Sequence, residues 1–305
     1  MGCCLSRRVA APRNFGVLRE ARGRWAPCLH QVKILIVSDI TWGPATLRAL
    51  QEAVREVHPS AVMVAGDIVD NKSGDLDACW RGVLGFFRYL SKSRIAATYV
   101  RGNWDRSPGY ETLSHAKLPF IQNCTSRVIE LAGLRVLGIP HQFTNNLNSA
   151  RALSSAFPEN VDIVLAHAEN IRRVWLLLLN ARVVVTGHFD EQIAEVRGKL
   201  LISTWNFPRH FVVLDWRPRQ LDIEYQYPSS HPRSSTRRAT FSKRGLVWKN
   251  RPFANSEEYG RRLDALLNAR ERLLSGLEER KTLEQQLLAL GVPERHIREY
   301  LARPA

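Results

Sequence analysis

The stretch Ala61-Val62-Met63-Val64-Ala65-Gly66-Asp67-Ile68-Val69-Asp70 decides the fold. Its opening run of apolar residues is too short for a helix and reads as a strand buried on both faces, ended by the turn pair Gly66-Asp67. The same pattern recurs on either side. Val32–Ser38 is a β-rich apolar run closing on Asp39, and Ala96–Val100 closes on Arg101-Gly102-Asn103. Between these runs, Leu47–Val57 and Ala78–Leu90 carry helical periodicity. Strands alternating with helices of this length predict an α/β layered fold.

After Asn123 the pattern changes. Arg127–Leu131 and Arg135–Ile139 read as a hairpin around Ala132-Gly133. Val161–Leu165 is a further buried strand leading to His167, with a helix expected near Ile171–Leu179, and Val183–Thr186 leads to Gly187-His188. Short strands follow at Ile193–Val196, Leu200–Ser203, Phe211–Asp215 and Leu221–Tyr225. Asp39, Asp67, Asn103, His167 and His188 all fall at or just past the end of an apolar strand. In open α/β sheets ligands bind outside the carboxyl ends of the strands, so polar groups from five separate elements can converge on one site.

In chain order these ends read Ser38-Asp39-Ile40-Thr41, Gly66-Asp67-Ile68-Val69-Asp70, Gly102-Asn103-Trp104-Asp105, Ala166-His167-Ala168 and Gly187-His188-Phe189-Asp190. The series resembles the calcineurin-like metallophosphoesterase family over about residues 33 to 225. That resemblance implies a layered α/β-β-α sandwich and a hydrolase acting on phosphomonoesters or phosphodiesters with a metal-bound hydroxide. Two divalent ions about 3.5–4 Å apart would clamp the phosphate and acidify a bridging water. The resemblance assigns Asp67 as the carboxylate shared by both ions, with Asn103, His167 and His188 completing the second ion's ligands. Asp67, Asn103 and His167 are the catalytic residues it implies.

The first ion's half is altered. The family's histidine two residues after the first aspartate is Thr41, and the last histidine of its G-H-x-H motif is Asp190. Asp39, Asp67 and Asp190 can form an all-oxygen site, which favours hard ions such as Mn or Mg, while the imidazole half also suits Fe, Ni or Zn. Manganese is the expected ion. Two readings stay open at this point: a dinuclear site with altered metal preference, or a weakened site holding one ion. Trp104 replaces a histidine common in the family, and its ring can stack on an aryl group or nucleobase but cannot titrate. Arg101, Trp104 and His141 are the expected substrate-side residues, and Asp70 and Asp105 the expected structural partners.

The remainder of the 305-residue chain frames this core. Residues 1–30 read as a basic N-terminal extension, 31–226 as the metallophosphoesterase domain, 227–255 as a basic Pro/Ser/Arg-rich linker and 256–305 as a helical C-terminal segment. In the last, Leu263, Leu266, Leu267, Leu274 and Leu277 recur at helical spacing. The net charge of +15 gathers in the extension and the linker, so nucleic acid or another anionic surface is an expected partner beside a phosphate-ester substrate. Two alternatives to hydrolysis of a small ester follow: a scaffold on the same fold without turnover, and a nuclease or nucleotide phosphodiesterase using the basic segment. No apolar run approaches the roughly 18 residues of a membrane-spanning helix. Five scattered cysteines and no secretory apolar region predict a reducing cytoplasm. The start Met1-Gly2-Cys3-Cys4-Leu5-Ser6 fits N-myristoylation with adjacent palmitoylation, an expectation of lipid anchoring if the cell is eukaryotic.

Overall fold

A computed structural model describes residues 31–42, 45–69, 75–105, 109–144, 160–168, 173–188, 191–226, 236–250 and 252–301. The N-terminal extension, with Gly2, Cys3 and Cys4, lies outside the described residues, as do Asp70 and Asp190. Two mixed sheets face one another. The larger, of eight strands among the described residues, runs β14-β13-β12-β11-β1-β2-β3-β4. Its members are β1 (Val32–Val37), β2 (Ala61–Val64), β3 (Ala96–Tyr99), β4 (Ile121–Asn123), β11 (Phe211–Arg217), β12 (Gln220–Gln226), β13 (Arg237–Ser242) and β14 (Gly245–Trp248). The smaller runs β5-β6-β7-β8-β10-β9. It comprises β5 (Val128–Leu131), β6 (Leu134–Ile139), β7 (Val161–His167), β8 (Ala181–Gly187), β9 (Gln192–Val196) and β10 (Lys199–Ser203).

The continuous apolar runs are explained by burial on both faces. Along β1, Ile34 and Ile36 enter the core between the sheets, while Leu35 and Val37 face the helical layer outside. In β8, Val183 and Val185 point inward and Val184 points to the opposite helical layer. Because side chains alternate with period two, a strand covered on both sides must be apolar at every position.

Helices α1 (Thr46–Val57) and α2 (Leu76–Lys92) cover the larger sheet. Leu50, Ala53, Val54 and Val57 form the buried stripe of α1, and the chain leaves it through His58 in the left-handed region at φ 49°. Helix α2 starts at Asp75, whose carboxylate accepts from the Ala78 amide at 2.9 Å, and it buries Trp80, Val83, Phe86, Phe87 and Leu90. Shorter helices α3 (Gly109–His115), α4 (His141–Thr144) and α5 (Arg173–Leu176) lie in the connections. The helix expected over Ile171–Leu179 is cut short after Leu176 by a turn in which the Leu179 amide donates to the Leu176 carbonyl at 3.2 Å. Helices α6 (Ser256–Leu274), α7 (Arg280–Ala289) and α8 (Glu294–Leu301) cover the smaller sheet through Leu263, Leu266, Leu267, Leu283, Leu287, Ile297 and Leu301. No helix among the described residues is long and apolar enough to cross a membrane.

The segment expected to be a linker contains β13 and β14, which extend the larger sheet. Two of its basic residues find acids on β12. Arg238 meets Glu224 at 3.2 Å, and Lys249 meets Asp222 at 2.8 Å. The inward-facing Ala239 and Phe241 are buried. Composition hid this strand because the acids balancing it come from β12 rather than from within the segment.

Candidate metal centre

The ends of β1, β2, β7 and β8 bring Asp39, Asp67, His167 and His188 together. All four side chains are buried, and one donor atom from each lies within 4.8 Å of every other. The backbone bends sharply to do this. Asp39, Asp67 and His188 have φ of 49°, 45° and 92°, a region that ordinary L-residues enter at an energetic cost. Such conformations persist where surrounding contacts over-determine them. Here the Asp39 amide donates to the Gly66 carbonyl at 3.2 Å, the Ile40 amide to the Asp67 carbonyl at 2.9 Å, and the His188 amide to Asp39 Oδ2 at 3.0 Å. Ser38 Oγ ties the same corner to the Thr204 carbonyl at 2.8 Å.

Gly66 is required by both conformation and space. Its φ is +77°, and a Cβ there would lie 2.5 Å from the Cβ of His167. The ring of His167 therefore lies directly over the glycine, with Nδ1 2.8 Å from the Ala65 carbonyl. Donation from Nδ1 to that carbonyl fixes the ring's orientation and turns Nε2 toward the other donors. Nε2 stands 3.2 Å from Asp67 Oδ2 and 3.0 Å from His188 Nδ1.

The electrostatics follow from this crowding. Burial pushes the Asp39 carboxyl up to about 6, with the Asp67 charge adding to the rise and His167 opposing it. Burial would lower the His167 imidazole, but Asp67 and Asp39 outweigh it and raise it to about 9. His188 is driven down to about 3 by burial and by the neighbouring His167 charge. The two carboxylates thus favour the protonated form of His167 over that of His188. Two carboxylates and two imidazoles form a donor set that suits a first-row divalent metal, so these residues fit such an ion.

Asn103 stands at the rim with its amide 2.9 Å from His167 Nε2. With the amide nitrogen turned inward it donates to Asp67 Oδ2 at 3.3 Å, and to His167 Nε2 once that nitrogen has lost its proton, while its oxygen accepts from Trp104 Nε1 at 3.2 Å. Holding a metal requires the opposite turn of the amide, with the oxygen inward. The Trp104 amide donates to Asp67 Oδ1 at 2.8 Å, and the residue as a whole is 38% exposed. Asp105 is wholly structural in its contacts: its carboxylate accepts from the Gly102 and Val69 amides at 2.7 and 3.2 Å. Burial and the Asp67 charge raise its carboxyl to about 7.

Among the other expected substrate-side residues, His141 lies beside the centre, with ring centroids 5.8 Å from those of both His167 and His188. Arg101 is turned into the loop instead: Nε donates to the Asp105 carbonyl at 3.0 Å, and the guanidinium lies over the Tyr110 ring at 5.1 Å. Thr41, at the altered position, places its hydroxyl 3.3 Å from Asn206 Oδ1. Asn206 and the buried Arg173 lie at this centre without having been singled out from the sequence. Neither follows an apolar run in a recognised motif; Asn206 meets Thr41 across 165 residues, and Arg173 meets Tyr259 across 86.

A calcineurin-like phosphoesterase family model matches residues 32–191. No curated protein matches the chain. Among solved structures, one superposes with a TM-score of 0.52 at 14% identity, covering 66% of this chain and 100% of the other. A dimetal phosphatase from Danio rerio gives 0.47 at 11% identity, covering 64% and 95%. A Vps29 single mutant from Entamoeba histolytica gives 0.37 at 14%, covering 72% and 99%. At these identities the first likeness speaks for the fold alone. The family model spans more than half the chain and ends just past the strand-end donors that meet in space, and the chain belongs to the calcineurin-like phosphoesterase family, hydrolases of phosphate esters.

Proposed function

We propose that this chain hydrolyses a phosphomonoester or phosphodiester at a two-ion centre with manganese preferred. Asp39, Asp67, Asn103, His167 and His188 would hold the ions, with Asp190 completing the altered half. The observation that carries the reading is the meeting of four buried donors from four strand ends within 4.8 Å. When bound, divalent ions neutralise phosphate charge and acidify water. The chain's own residues do the rest. His167 must release its Nε2 proton for metal to enter, and the Ala65 carbonyl keeps its ring aimed while it does so. Asp67 would be the shared carboxylate, its Oδ1 oriented by the Trp104 amide. His141 is the titratable side chain beside the centre to protonate a leaving group, a task Trp104 cannot perform. The ring of the exposed Trp104 would receive an aryl or base moiety.

The test is hydrolysis of bis-p-nitrophenyl phosphate with Mn, Mg, Ni or Zn, beside Asp67→Ala. Turnover dependent on metal and lost in the variant is expected, with Mn most active. A second reading, a fold-sharing scaffold without turnover, draws support from Thr41, whose hydroxyl approaches Asn206 where the family has an imidazole ligand. Folded protein that binds Mn tightly yet hydrolyses neither this diester nor p-nitrophenyl phosphate would favour it. The nucleic-acid reading is weaker, because Arg238 and Lys249 are engaged by Glu224 and Asp222.

A further inference from the structure

Arg173 opens α5 with its side chain fully enclosed. Its guanidinium spans three oxygens from three parts of the chain. Nε donates to the Ala168 carbonyl at 3.2 Å, Nη2 to the His188 carbonyl at 2.7 Å, and Nη1 to the Tyr259 hydroxyl at 3.1 Å. Ala168 directly follows His167, and His188 is itself a donor of the centre. One rigid, planar cation therefore holds the backbone at both histidines and also reaches helix α6. Hydrogen bonds from a charged donor are stronger than neutral ones, and the fixed fork geometry sets the distance between the two loops.

Helix α6 is also docked by contacts that do not involve Arg173. Leu263, Leu266 and Leu267 are buried against the smaller sheet, and Gly260 approaches the Glu195 backbone closely. Arg197 on the turn after β9 reaches Asp264 at 2.9 Å and Asn268 and Glu271 at 2.7 Å. The Tyr259 hydroxyl thus presents an oxygen from a surface fixed by other means. His188 sits at φ 92° and needs such outside support to keep its imidazole aimed inward.

We propose that Arg173 is a positioning residue of the metal centre, and that Tyr259 makes its hold on the two histidine loops depend on the docked C-terminal helix. The C-terminal helical segment is on this account a working part of the centre rather than an attachment. The inference rests on the metal reading above for its consequence, though not for its geometry.

The test uses the full chain with Tyr259→Phe, Arg173→Lys and both together. Tyr259→Phe keeps the ring and removes one oxygen. Three quantities are read: Mn affinity by calorimetry, melting temperature without metal, and amide exchange at His188 and Ala168 in metal-free protein by NMR. Tyr259→Phe should weaken Mn binding several-fold and speed exchange at both amides, with the melting temperature unchanged. Arg173→Lys should weaken binding by about tenfold or more, as loss of partners that orient ligands commonly does. The double variant should be no worse than Arg173→Lys, because both changes break one connection. Unchanged exchange and affinity in Tyr259→Phe, or additive losses in the double variant, overturn the proposal. Should Arg173→Lys fail to fold, Tyr259→Phe decides alone. Should wild-type protein bind no Mn, the metal reading falls, and exchange at His188 still decides whether the clamp exists.

Discussion

Replacing Gly66 by alanine should damage the centre far more than the same change at Gly198, although both glycines have nearly the same backbone. Their φ angles are +77° and +72°. An L-residue in this region costs about 1–2 kcal/mol at either position, and the stiffening of the unfolded chain is also common to both. The surroundings differ. A Cβ at Gly198 meets nothing within 4 Å, whereas at Gly66 it would lie 2.5 Å from His167 Cβ and 2.6 Å from Cγ and Nδ1. His167 is fully enclosed, so relief requires moving the ring and losing its bond to the Ala65 carbonyl. Overpacking adds about 1–3 kcal/mol and the lost hydrogen bond about 1. Gly66→Ala should therefore lose about 3–6 kcal/mol, and Gly198→Ala about 1–2. Urea unfolding of EDTA-treated protein measures both, and Mn calorimetry should show weakened binding only for Gly66→Ala. Two variants within about 1 kcal/mol of one another, with equal Mn affinity, would refute the packing of His167 on Gly66.

Two further outcomes are expected. Metal-free protein should lose stability as pH rises from 6.5 toward 9, because the fold raises His167 from its ordinary 6.5 to about 9. That contribution, about 3 kcal/mol, is complete below 6.5 and gone above 9. Asp105, raised from 3.8 to about 7, acts in the same direction at the lower end. His188, lowered from 6.5 to about 3, opposes only on the acid side and leaves the window above 6.5 clear. Denaturant midpoints at pH 6.5 and 9 test this, and a flat or rising profile contradicts the raised titration of His167. Separately, Trp104→Ala should raise KM for p-nitrophenyl esters by about two- to tenfold, the worth of one aromatic contact, with little change for methyl esters. Equal shifts for both classes would remove the stacking role.

The centre was legible to the extent that each donor terminates a double-faced strand. Asp39, Asp67, His167 and His188 could be picked out because each ends a continuous apolar run and together they follow one motif order, although any one of them alone would mean little. His141 also carried a trace of this, standing after Gly138-Ile139-Pro140 at the close of β6. Arg173 carried none. Its neighbours in sequence are those of an ordinary basic residue before an apolar turn, and its meaning depends on Tyr259, which lies 86 residues away. The strands β13 and β14 were hidden by composition, since prolines, serines and arginines in a row outweigh the alternation of Ala239 and Phe241. For Arg101 the sequence left a choice between a phosphate and local partners. A cation beside a phosphate motif invites a substrate role, yet its contacts are with the Asp105 backbone and the Tyr110 ring.

The pairing of β1 bears on the order in which this fold can be completed. On one edge β1 meets β2 in parallel, Ile34 opposite Ala61, and on the other it meets β11 antiparallel, Val32 opposite Trp216. A growing chain that has reached residue 191 contains every strand carrying one of the four clustered donors, yet β1 still offers an open row of amides and carbonyls. Such an edge invites pairing with another chain. Only after β11 emerges is the strand that delivers Asp39 sealed, and long-range closure of this kind is slow. A fragment trimmed to the family match would keep the four clustered donors and lose the strand that seals the β1 edge against aggregation.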